Sequence, residues 1–533
     1  KFYNIFFDSQ SIEKKLFVYP NYLTTTTHMN NFLKRAMLPG IFAALAIFTG
    51  CEQEPMVPRF EGADATPEVN FTALTSDGRI LYFEGGNLSN AAKTLNLSNL
   101  GSGEQIVSID YRPATGQLYG LSSASRLYHI NENSGVATAL GQASFSPAFQ
   151  GANPSLDFNP TVDRIRLVTE SGQNLRLHPE LGTVVATDGN INGGFRPRIG
   201  AVAYTNSFSG ASSTILYDID FEQDKLYQQV PPNDGGLVEV GNLQVDFEGE
   251  GDMDILPDNS LALAVTRYLN QSRLYTIDLS SGRANWVGVF TDPVISISFK
   301  TDPIAYAAVG ATFYRFNPLN PSSQTMAPFT GLAMGETIVG LDYRPINGQL
   351  LAISNRSRLY SVNPSNAALN PIGQALSPAI AGNFVGFDFN PTVDRIRLVT
   401  ETGQNLRLHP SLGTVVAVDG TLNPGSPFVT GAAYTNTFAG TTSTELFVID
   451  SQSNRLLKQS PPNDGVLVDV GPLGVDFDAD NGFDIGGTSN LAYAVLRVGN
   501  ASAVYRINLM TGAATKVSDL NFNPTAMAVG QGF

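Results

Sequence analysis

The chain has 533 residues, more than one hydrophobic core usually serves, so at least two domains or one large repeat ring are expected. Its formal charge is −15, and beyond residue 51 it holds 27 basic against 45 acidic side chains, a balance of −18 that argues against nucleic acid as a partner, since phosphates call for a basic face. The single cysteine, Cys51, excludes internal disulfides and cysteine-ligated zinc or iron–sulfur clusters, while 51 glycines and 31 prolines beside 15% charged residues suit short strands joined by tight turns.

Residues 1–28 match no targeting pattern and are expected to be an upstream extension absent from the mature protein. Residues 29–50 read as a signal peptide: Lys34 and Arg35 form the basic region, Ala36 to Phe48 the apolar stretch, and Thr49 and Gly50 the small residues before Cys51. The apolar stretch spans 13 residues, short of the ~20 that a membrane-crossing helix needs. Together these residues resemble the lipobox of bacterial lipoproteins, with Phe48 where leucine is usual. The resemblance implies cleavage before Cys51, a diacylglycerol on its thiol, a fatty acyl chain such as palmitate on its amino group, and a membrane partner reached through that lipid. Acidic residues next to Cys51 point to the outer membrane or cell surface of a bacterial envelope, and residues 51–68, without periodicity, read as a flexible tether.

From residue 69 onward the chain repeats itself. Asn159 to Ala186 recurs at Asn390 to Ala417 with only positions 171 and 180 changed across 28 residues, and the blocks DYRP, AYTN and PPNDG recur in the same order. Residues 69–299 and 300–533 are therefore two copies of one repeat. In chain order the first copy shows alternating segments separated by Asn, Asp, Gly and Pro: QLYGLS and RLYHIN, then RIRLVTE and NLRLHP, then ILYDID and KLYQQV. Units near residues 106–142, 155–188, 200–241 and 252–289 have the length of four-stranded propeller blades, and a fifth unit is read from VISISFK with IAYAAVGATFYRF. The expected fold is all-β and propeller-like, as two tandem five-bladed rings; the alternative is one ten-bladed ring closed by pairing FTALTSDGRILYF with TAMAVG.

The blocks DYRPATGQLYGL, DFNPTVDRIRLV, GQNLRLHP, AYTN and PPNDG together resemble the bacterial exported family called domain of unknown function 4394. The resemblance covers nearly all of residues 69–533 and implies export and a propeller-like fold, with no mechanism attached.

Chemistry is sparse. Of four histidines, His178 and His409 are equivalent residues in NLRLHP, read as turn-proximal, and His129 faces Ser361 in the other copy, so a histidine base has little support. Arg164 and Arg166, mirrored by Arg395 and Arg397, read as inter-blade ion-pairing residues, and Arg112 and Arg344 as ligands of turn carbonyls or a carboxylate. The segment VDFDADNGFDIG offers Asp476, Asp478, Asp480 and Asp484 around Gly482 as a calcium site, although its spacing is one residue longer than an EF-hand start and the first copy carries Glu248 and Glu250 there. No nucleophile elbow, P-loop, zincin or dinucleotide fingerprint is present. The expected function is non-catalytic binding of a glycan, peptide or protein; the alternatives are a glycan-active enzyme using acidic residues and a purely structural envelope protein.

Overall fold

The computed structural model describes residues 65–268 and 270–533, so the upstream extension, the signal peptide, Cys51 and most of the tether lie outside the described residues. The described chain forms ten four-stranded antiparallel sheets, and its regular structure besides strands consists of two short 3₁₀ turns, Pro232–Asp234 and Pro462–Asp464.

Each sheet is a blade. In the first ring the innermost strands are Val294–Ser298, Ile106–Tyr111, Ser155–Asn159, Ile199–Tyr204 and Gly251–Ile255, in order around the axis. In the second they are Ala526–Val529, Ile338–Arg344, Val385–Asn390, Val429–Tyr434 and Asn481–Ile485. These strands are buried on both faces, which explains why they read as apolar runs interrupted by small or acidic residues.

Ring closure separates the two expected architectures. Phe71–Thr75 pairs antiparallel with Val294–Ser298, with Thr72 opposite Ser298, and Ala305–Val309 pairs with Ala526–Val529, with Ala305 opposite Val529. Each copy thus completes its own first blade with its last strand, giving two five-bladed rings and excluding the ten-bladed alternative. The fifth unit read from VISISFK with IAYAAVGATFYRF is corrected accordingly: these segments are neighbours in sequence but belong to different rings. Closing a ring removes free strand edges at its seam, a gain that adjacency along the chain does not report.

The core lies in layers between blades. Tyr119, Leu121 and Leu127 of one blade, for example, pack against Phe158, Ile165 and Leu175 of the next, and Tyr119 meets Phe158 edge-on at 5.0 Å. The rings touch through the ends at which their inner strands finish. There Tyr306 and Tyr343 donate to the Ala114 carbonyl at 2.9 and 2.7 Å, the Thr115 carbonyl accepts from the Gly532 N–H at 2.9 Å, and Arg112 donates to the Gly348 carbonyl at 3.0 Å. The opposite ends, where inner strands begin, form the two outward axial mouths.

Candidate functional site

Inner strands of neighbouring blades do not hydrogen-bond to one another as a ladder, so their backbone N–H groups need other acceptors. Aspartates supply them. Asp110 accepts from the Phe158 N–H at 2.9 Å, Asp157 from Tyr204 at 3.2 Å and Asp254 from Phe299 at 2.6 Å, each reaching from its own inner strand to the next. In the second ring Asp342, Asp388 and Asp484 do the same for Phe389, Tyr434 and Val529, at 2.7, 3.1 and 2.5 Å.

The stitching brings three carboxylates together on each axis. One oxygen from each of Asp110, Asp157 and Asp254 lies within 4.8 Å of the others, and the same holds for Asp342, Asp388 and Asp484. Burial pushes Asp110 and Asp484 up to about 7, and Asp157, Asp254, Asp342 and Asp388 well above the usual carboxylate range, with the neighbouring aspartates adding to the rise in these four. Three buried anions this close repel, so the triads can hold protons or a hard cation with oxygen donors.

One level nearer the mouth the rings differ. The first ring carries Ser108, Ser155, Asp252 and Ser296, with Ser155 and Ser296 donating to the two oxygens of Asp252 at 2.8 and 2.5 Å; burial pushes Asp252 up to about 8. The second ring has Gly340, Gly386, Gly482 and Ala526 at these positions. A side chain at Gly340 would meet Phe387 at 2.6 Å and one at Gly482 would meet Met527 at 2.4 Å, so closer strand packing replaces the polar network.

The mouth of the first ring opens into a cleft of about 790 Å³. Its wall includes the half-buried Phe149 and Phe221, the carboxylates Glu170, Glu222, Glu248 and Glu250, and Arg198. Arg198 is held by Glu170 at 2.6 Å and lies 3.5 Å from Glu222, Glu250 pairs with Arg267 at 2.9 Å, and the Asn153 amide bridges Glu170 and the Gly249 carbonyl. Glu248 is exposed, and its carboxylate has no partner among the described residues. In the second ring Phe384 and Phe428 occupy the positions of Asn153 and Arg198, with ring centroids 6.0 Å apart.

A family model described as "Domain of unknown function (DUF4394)" matches residues 79–298 and 312–530, one copy in each ring. The chain belongs to this family. No curated protein matches it. Among solved structures it is similar to one described as "Structure of Dos1 propeller", at 12% identity over 63% of this chain and 91% of that one, with a TM-score of 0.24. It is also similar to "YCF48 bound to D1 peptide", at 10% identity over 63% and 87%, with a TM-score of 0.24.

The motifs by which the two DUF4394 copies resemble their family hold blades together. Arg166 donates to Asn174 at 2.7 Å, Asp188 at 2.6 Å and Asn233 of PPNDG at 2.8 Å; Arg397 repeats this with Asn405, Asp419 and Asn463, each at 2.7 Å. Arg112 of DYRP, fully buried, forks onto Asp163 and reaches Glu180 at 3.2 Å, while Arg344 forks onto Asp394. Arg164 and Arg395 donate to the neighbouring carbonyls of Asp163 and Asp394. The Nδ1 atoms of His178 and His409 accept from the backbone N–H groups of Glu180 and Ser411, as turn-proximal histidines do. Burial holds His178 down to about 4 and His129 down to about 3, so both are neutral at neutral pH.

The four aspartates of VDFDADNGFDIG are not gathered into one cluster: no three of them bring oxygens within 4.8 Å of one another. Asp476 accepts from the Asn454 amide at 2.9 Å, Asp478 pairs with Arg497, Asp480 stands at the position of Glu250, and Asp484 alone joins an axial triad. Strand alternation accounts for the division, because Asp484 lies within Asn481–Ile485 and faces the axis while the other three precede that strand. The triads themselves escaped the sequence reading. Their signal is an aspartate flanked by apolar residues at the start of three blades, in IDYRP, LDFNP and MDIL.

Proposed function

We propose that this chain is a lipid-anchored envelope or surface protein whose first ring binds a ligand in its axial cleft without transforming it. The cleft carries this reading: its 790 Å³ falls in the range of small-ligand sites, and it combines half-buried aromatic rings with convergent polar groups. The one hydroxyl of its lining, Ser123, accepts from the Gln105 N–H at 3.1 Å and makes no hydrogen bond to any of the four glutamates, so the cleft presents no assembled serine–base pair. The occupant class is a glycan, peptide or protein segment, and attachment to the membrane runs through lipid on Cys51.

Thermal unfolding of the full chain against panels of glycans and peptides tests the binding, because a ligand held only by the folded state raises the midpoint. The rise is expected to vanish in Phe221→Ala, a half-buried side chain on the cleft wall. A panel without any shift, or a shift that survives this substitution, overturns the assignment. Release of reducing ends from a glycan that binds would replace it with glycosidase chemistry. For the anchor, Cys51→Ser is expected to move the protein out of the membrane fraction.

A further inference from the structure

We infer that the cleft of the first ring selects an organic cation, an amine or guanidinium carried on an apolar body. The inference rests on the binding role proposed for that cleft and adds the chemistry of its occupant.

Charge is the first support. Four carboxylates face one guanidinium within the lining, and that guanidinium is taken up by Glu170 and Glu222. Glu250 has Arg267 beside it, and Glu248 has no partner among the described residues, so the wall keeps an excess of negative charge that a phosphate, a uronic acid or an acidic peptide would have to oppose. A neutral sugar could donate hydrogen bonds to these carboxylates but would leave their charge uncompensated. An amine or guanidinium compensates it, and its alkyl stem can lie on Phe149 and Phe221, whose ring faces also attract cations.

The second support is the way the two copies differ. At the mouth of the second ring, Phe221 is replaced by Ser451, Phe149 by Ile380 and Glu222 by Gln452, and the counterpart of Glu248, Asp478, is paired with Arg497. Both aromatic faces and the Glu222 carboxylate have changed together, while among the described residues the carboxylate left without an arginine shifts from Glu248 to Asp480. The Arg166 and Arg397 networks and the axial triads are unchanged between the copies, whereas the mouth and the polar level just below it have diverged.

Isothermal titration of the full chain with three probes tests this: spermidine, a lysine–alanine peptide, and the same peptide with its lysines acetylated. Spermidine or the unmodified peptide is expected to bind, about tenfold more weakly in the double variant Glu248→Gln, Glu250→Gln, and more weakly at high salt. Both glutamates are exposed, so an unchanged unfolding midpoint is expected to show that the variant folds. Binding by spermidine alone assigns a free amine, and binding by the peptide alone assigns a lysine-bearing partner. Failure of both cations, equal binding of the acetylated peptide, equal binding by the double variant, or displacement of spermidine by equimolar calcium overturns the inference. If acetylated peptide or a neutral glycan binds and is lost in Phe221→Ala, the cleft stands and only its cation preference falls; if nothing binds, both fall.

Discussion

Asp252→Asn separates the cost of a buried acid from its structural use. Asp252 is fully buried between Ser155 and Ser296, and burial pushes it from its ordinary 3.8 up to about 8. In that window the folded state binds a proton that the unfolded chain has released, so stability is fully present below the unfolded value and declines as pH rises towards the folded one. The slope from this one group is about 1.4 kcal/mol per pH unit. A carboxamide has one donor and one acceptor end, as the protonated acid does, but no proton to lose. Asp252→Asn is therefore expected to match the native chain near its acid limit and to gain on it by about 3 kcal/mol between about pH 5 and pH 7. For a ring of this size that difference corresponds to roughly 6 to 12 °C in midpoint. Differential scanning calorimetry of both proteins across this range reads it directly. Parallel pH profiles would refute the reasoning, since they would mean that Asp252 is ionised in the folded ring at no cost.

Four further outcomes are expected. Arg166→Ala leaves Asp188 with Arg176 as its remaining cation and takes a donor from Asn174 and Asn233, and urea unfolding is expected to show a loss of about 1–3 kcal/mol; Arg176→Ala, whose side chain is one-third exposed, costs less. Asp478→Ala breaks only a half-exposed pair with Arg497, so its unfolding free energy is expected to change by less than about 1 kcal/mol. Deleting residues 525–533 removes the innermost strand of the second ring's first blade; calorimetry is expected to show that ring's transition lost while a separate transition of the first ring survives. Asp388→Asn in the second triad is expected to stabilise the chain increasingly as pH rises above about 4, because the native carboxyl is held well above its ordinary range, and equilibrium unfolding at several pH values checks it.

The repeat, the all-β class and the approximate blade spacing were legible in the sequence because each is local. Alternation reports strands, Asn-, Gly- and Pro-rich joints report turns, and an identical run such as NPTVDRIRLVTE reports duplication without reference to three dimensions. The expected inter-blade ion pairing was legible only in part: Arg166 ion-pairs with Asp188 of its own blade, 22 positions away, and reaches the next blade through a hydrogen bond to Asn233, 67 away, while Arg164 bonds only the adjacent Asp163 carbonyl. The loop aspartates show the opposite failing. Their closeness in sequence suggested one metal site, yet Asp484 belongs with Asp342 and Asp388, far from it in the chain.

What the sequence by itself determined, then, is two copies of a strand-rich repeat belonging to one family, with alternation and turns that settle where strands fall. Tertiary structure decided ring number, axial triads and cleft. Ring number depends on whether Val294–Ser298 finds Phe71–Thr75 or the segment that follows it, and both pairings satisfy the same backbone groups. The triads and the cleft arise only where strands from different blades meet around an axis. Their electrostatics come from distances between residues that no periodicity connects.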